Sequence, residues 1–142
     1  MAKVNRFEEL DVWRKARAFA KHIHETSSKG TFAKDFSLKD QINRSAGSIM
    51  DNIAEGFERG GNKEFIQFLF IAKGSAGEAR SQLARCFDKV HINEEEFDLL
   101  NSKVLEISSQ LSGFISYLKS SEMKGEKYVK EANEPYLAQN QL

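Results

Sequence analysis

The chain has 142 residues, 40% hydrophobic and 30% charged, which suits one packed domain and excludes a wholly disordered chain. Lys plus Arg and Asp plus Glu both number 21, so attachment to nucleic acid by bulk charge alone is excluded. One cysteine rules out an intrachain disulfide, and no run approaches the roughly 18 apolar residues of a membrane span. The N-terminus, "MAKVNRFEEL", has no apolar leader, and the expectation is a cytoplasmic chain with no membrane attachment.

Four proline-free segments show helical periodicity. The first runs from about Glu9 to Ser27, with Val12, Ala16, Phe19 and Ile23 on one stripe that Trp13 and Ala20 widen. "SSKGTFAKD" breaks the pattern. The second runs from about Leu38 to Phe57, along Ile42, Ala46, Ile49, Ile53 and Phe57; Ser37 is the expected N-cap, with Asp40 as its capping-box partner. "ERGGN" ends it, with Gly60 or Gly61 supplying the left-handed residue that helix C-termini favour. Asn62 is the expected cap of the third segment, about Lys63 to Lys89, whose apolar set is dense: Phe65, Ile66, Phe68, Leu69, Ile71, Ala72, Ala76, Ala79, Leu83, Cys86 and Phe87.

Asn93 caps the fourth segment, with Glu96 at the capping-box position. It carries an unbroken heptad of Phe97, Leu100, Val104, Ile107, Leu111, Phe114 and Leu118. Short connections and four apolar stripes predict an all-α fold, an antiparallel up-down-up-down four-helix bundle over residues 1–120. Residues 121–142 are read as a flexible polar tail. Phe65, Ile66, Phe68, Leu69 and Ile71 cover more than one face of the third helix, so a second subunit is expected against part of it.

The stretch "SIMDNIAEGFERGGNKEF" (48–65) invites a phosphate-loop reading, since Gly56 and Gly61 have the Walker-like separation. The next residues are Asn62 and Lys63, and no strand precedes the loop, so the backbone cradle is missing. A helix turn remains. With the turn centred near Gly60, Ala46 and Gly47 fall level with Lys73 and Gly74, which places two small patches, "SAGS" and "GSAG", side by side. Close backbone approach would offset the roughly 1 kcal/mol that an interior glycine costs a helix. Arg44, Ser48, Asn52, Glu55 and Arg59 lie on one face, with Glu78 in reach of Arg44 and Glu64 across the turn from Arg59. They are read as a structural seam rather than a ligand site.

Other chemistry is sparse. His22 and His24 lie on different helix faces and cannot share a metal. His91 sits in a turn with no evident partner, and Cys86 is expected as a small buried apolar group. No catalytic triad, nucleotide fingerprint, zinc spacing or cofactor motif is present, so no enzyme, metal or cofactor is expected. Charge is uneven, however: residues 1–30 carry seven Lys/Arg against four acids, and residues 93–118 one base against five acids. Arg14, Arg17 and Lys21, extended by His24, form a basic stripe on the first helix that suits phosphate contacts. Its plainer reading is a solvated face.

Trp13 with Ala16, then Gln41, Arg44, Ala46, Ser48, Asn52 to Gly56 and Arg59, then Glu64, Phe65, Phe68, Leu69, Ala72, Gly74, Ser75 and Glu78 resemble the bacterial four-helix bundle proteins. These are also called 23S rRNA intervening-sequence or S23-like proteins. The resemblance spans about residues 7–120 and implies a bundle that assembles as a ring-like homopentamer of undetermined biochemical role. A related branch, the accessory proteins of diversity-generating retroelements, forms basic pentamers that bind a reverse transcriptase and nucleic acid. This chain departs from that branch in its zero net charge, and Ser45 and Gly47 replace the bulkier residues commoner in the pattern. A non-enzymatic oligomeric scaffold or adaptor is therefore the leading expectation. The alternative is an accessory protein that meets RNA, DNA or a nucleic-acid enzyme through the basic stripe. An enzyme with an inter-subunit site at Asn52, Glu55 and Arg59 is the least favoured of the three.

Overall fold

The structure, a computed structural model, describes residues 4–123. Four helices run in order: α1 (Asp11–Ser27), α2 (Phe36–Glu58), α3 (Asn62–Asp88) and α4 (Glu94–Met123). Short 3-10 helices at Phe7–Glu9 and Phe32–Lys34 precede α1 and α2. Each helix packs against its two neighbours in a closed square, α1 on α2 and α4, and α3 on α2 and α4. Cross-helix bonds fix the directions. Gln41 meets Arg85 and Ser48 meets Ser75 across α2 and α3, while Asp11 meets Gln110 and Lys15 meets Glu106 across α1 and α4. Both pairs are antiparallel, as an up-down-up-down bundle requires.

The predicted stripes form the core. Val12, Ala16, Phe19, Ile23, Leu38, Ile42, Ile49, Ile53, Phe65, Leu69, Leu83, Val104, Ile107, Leu111 and Leu118 are all buried. Phe114 stands edge-on to Phe65 at 5.2 Å, and Phe57 edge-on to Phe65 at 6.1 Å. Cys86 lies in the same core, and burial pushes its thiol up to about 12.

Two caps differ from expectation. Asp35, not Ser37, caps α2: its Oδ1 accepts from the Leu38 N–H at 3.3 Å, and the helix begins one residue before Ser37. Ser37 instead accepts from Gln41, and Asp40 is taken by Arg44, so neither is left for the box. The N-cap of α3 is Gly61 in an extended conformation, and Asn62 is the first helical residue, buried. Gly60 has φ +84° and ends α2 as the glycine rule predicts. The Asn93–Glu96 box forms in both directions, at 2.8 and 3.0 Å.

The end of α4 also differs. It runs to Met123, past the expected stop near Ser120, with Ser121 buried on the same stripe as Leu118. The remainder of the expected tail lies outside the described residues. The α3 end is a Schellman turn: His91 N–H donates to Cys86 O and Val90 N–H to Phe87 O, both at 2.9 Å. Val90 takes the left-handed position, φ 61°, that glycine normally fills.

Candidate functional site

The seam forms, with altered register. Ser48 Oγ lies 2.8 Å from Ser75 Oγ on α3, and Asn52 Nδ2 donates to Ser48 Oγ at 2.9 Å and to the Ser48 carbonyl at 2.8 Å. One turn on, Arg59 donates to Glu55 at 2.9 Å, pairs with Glu64 at 3.5 Å, and lies over the Phe68 ring at 5.1 Å. The bond to Glu55, helped by Glu64, raises the guanidinium's already high pKa. These pairs are level about residues 61–62 rather than about Gly60, so level positions shift by about three residues, nearly one turn.

That shift undoes two expectations. Glu78 moves opposite Ser45, and Arg44 bonds back to Asp40 at 2.9 Å instead of reaching Glu78. Both still line a shallow groove of about 500 Å³ with Gln41, Ser45, Ser48 and Gln82. Gln82 Oε1 is buried there without a partner among the described residues. Nor do the glycines of "SAGS" and "GSAG" mediate close approach. A Cβ at Gly47, Gly74 or Gly77 would meet nothing within 4 Å. The close approach is at Gly56, where an added Cβ would fall 2.7 Å from Phe68 Cβ and 2.9 Å from Phe65 Cδ1.

Arg14, Arg17 and Lys21 are all exposed on one face of α1, as predicted. Arg14 Nε donates to the Glu8 carbonyl at 2.6 Å, and the Arg17 guanidinium lies 5.7 Å from the Trp13 ring centre. Both contacts steady the side chains and leave their charge intact. The stripe ends at His24, which lines a depression of about 360 Å³ with Phe36, Lys39, Asp40 and Asn43. Phe36 was not singled out from the sequence. Its signal is phase: it stands two residues before Leu38, off the Leu38–Ile42 stripe, and is 76% exposed.

His91 does have partners, contrary to expectation. Its Nε2 lies 2.9 Å from Asp35 Oδ2, its Nδ1 2.9 Å from Thr31 Oγ1, and its ring stacks on Phe32 at 5.3 Å. Lys89 Nζ also reaches Asp35 Oδ2 at 2.9 Å. His91 foremost, then Lys89 and the Leu38 N–H, hold the Asp35 carboxyl far below the usual carboxylate range. Hydroxyl, imidazole and carboxylate in line also serve hydrolases. Here the carboxylate caps α2 and holds Lys89, and the group joins the α1–α2 and α3–α4 connections as a clasp. Spacing hid it, because the partners are 56 and 60 residues from His91.

Among the described residues, no group of three or more His, Cys, Asp or Glu is placed to hold a metal. No described helix is long and apolar enough to cross a membrane.

The family model for 23S rRNA-intervening sequence proteins matches residues 8–113, which takes in α1, α2, α3 and most of α4. The chain belongs to this family. The 23S rRNA-intervening sequence fold is also that of a solved structure, described as a protein with unknown function from the S23 ribosomal protein family of Bacteroides thetaiotaomicron VPI-5482. It superposes with a TM-score of 0.68 at 29% identity, over 73% of this chain and 97% of that one. A comparison with curated proteins gave no match.

Proposed function

We propose that this chain is a non-enzymatic, cytoplasmic helical-bundle protein that acts by assembly, as an oligomeric scaffold or adaptor. The observation that carries this reading is the outer face of α3. Phe70, Gly74, Gly77, Ser81 and Ala84 recur there at alternating steps of four and three, all exposed. Phe70 is 48% exposed and Ile71 beside it 51%. Helical glycine is unfavourable by roughly 1 kcal/mol. Among the described residues, nothing uses the missing Cβ at Gly74 or Gly77. A second copy packed against a shallow stripe flanked by apolar side chains offsets that loss.

The non-enzymatic part rests on the family signature itself. Ser48 bonds to Ser75 and Arg59 to Glu64 across α2 and α3, while Asn52 and Glu55 hold those two side chains within α2, so these polar atoms bond to one another. Five copies is the number the family resemblance implies. Sedimentation equilibrium or light scattering at micromolar concentration is expected to return about five chain masses. A single chain mass overturns the reading.

A second reading is favoured by one observation, the unbroken exposure of Arg14, Arg17 and Lys21 along α1. It is an accessory protein that meets RNA, DNA or a nucleic-acid enzyme through that stripe. The logarithm of its binding constant would fall linearly with the logarithm of salt concentration.

A further inference from the structure

We infer that the junction of α1 and α2 binds single-stranded nucleic acid, with phosphates on the α1 stripe and an unpaired base stacked on Phe36. The inference rests on the second reading and adds a base-contacting platform to it.

Phe36 is the first residue of α2 and is 76% exposed, whereas Phe19, Phe32, Phe65 and Phe114 are fully buried. Nothing local requires a ring there. Asp35 supplies the cap, and Leu38 and Ile42 fill the core beneath. Phenylalanine is also only a middling helix former. The depression it lines contains no other apolar side chain; the remaining walls are His24, Lys39, Asp40 and Asn43. A protein partner seeking an apolar patch finds one ring among polar and charged groups. A planar base on an anionic chain finds a stacking face beside cations.

The α1 stripe is continuous with it. His24 is the last member of the stripe, and Lys21, Arg17 and Arg14 lie one, two and three turns back on the same exposed face. Lys39 stands one turn into α2 from Phe36. The neighbouring acid Asp40 is already paired with Arg44 at 2.9 Å. Asn43 donates its amide hydrogens to Ser27 Oγ at 2.9 Å and to the Lys39 carbonyl at 2.8 Å. Both Nδ2 hydrogens are thereby used, and Asn43 Oδ1 is the acceptor suited to the exocyclic amine of a base.

The test uses the whole chain and fluorescein-labelled 12-residue oligonucleotides at low salt, read by anisotropy. RNA and DNA single strands, an abasic strand of equal length and a duplex are the arms; the RNA and DNA arms report which sugar is preferred. Wild type is expected to bind the single strands about tenfold more tightly than the abasic strand. Phe36→Ala is expected to remove that tenfold and leave abasic binding unchanged, while Phe36→Tyr keeps it. Arg17→Gln with Lys21→Gln is expected to lower the salt slope and weaken every arm. Equal binding of base-containing and abasic strands, or no effect of Phe36→Ala, overturns the stacking inference and leaves the stripe reading standing. No binding of any arm overturns both. A Phe36→Ala change that alters only the mass of the assembly assigns the ring to a second copy and likewise overturns the inference.

Discussion

Asp35 is the most heavily used side chain at its end of the bundle, bonded to the Leu38 N–H, to Lys89 and to His91. Its carboxyl is held well below the ordinary range, so it binds protons more weakly folded than unfolded. The sign follows from linkage: the stabilisation is complete above the unfolded carboxylate's pKa of about 4 and is lost as pH falls below it. Wild type is therefore expected to lose melting temperature between about pH 5 and pH 2, and Asp35→Asn to flatten that part of the profile. Calorimetry across the range checks both. Gly56 makes the opposite kind of demand, for absence. A methyl there meets Phe68 Cβ, which moves only with its backbone, at 2.7 Å. Gly56→Ala is expected to destabilise by about 1–3 kcal/mol from overpacking, less about 1 kcal/mol regained in helix propensity. The urea midpoint reads the balance, and unchanged stability would mean α2 and α3 can part without loss.

At the scale of the helix, α3 does two jobs on two faces. Its inner face carries Phe65, Leu69, Ala72, Ala76, Ala79 and Leu83 into the core, and Ser75 into the seam. Its outer face carries Gly74, Gly77, Ser81 and Ala84, which are exposed among the described residues. Gly74→Ala and Gly77→Ala are each expected to stabilise the isolated helix by about 0.5–1 kcal/mol. In an assembly that uses the stripe, the same methyls stand between chains. The expected outcome is a shift of the mass distribution toward smaller species in sedimentation velocity, with helicity retained. A higher melting temperature with unchanged mass would place the interface elsewhere. The α2–α3 seam shows how a small change of turn moves chemistry. The Ser48–Ser75 and Arg59–Glu64 pairs are level about residues 61–62 rather than 60, and Ser75, not Ala72, stands opposite Ser48.

For the molecule as a whole, the class and order of its elements were legible from apolar spacing. Helix periodicity is local, and the heptad from Phe97 to Leu118 survives any choice of neighbour. The Asn93–Glu96 cap was legible for the same reason, as was the Gly60 stop. Asp35 was overlooked because Ser37 competes for the same role on local rules, and the choice turned on the clasp with His91 and Lys89. The face of α1 that carries Arg14, Arg17 and Lys21 was visible from spacing, but its junction with Phe36 was not. That junction depends on where α2 begins and which way its first residue points. Sequence alone determined four amphipathic helices, their antiparallel order and the family signature between Ser48 and Glu78. The tertiary structure decided the pairings: Ser48 with Ser75, Arg44 with Asp40, His91 with Asp35, and open space at Gly74 and Gly77. The physical reason is range, since periodicity acts over one or two turns, whereas register between packed helices shifts by a full turn when their connection changes by a residue or two.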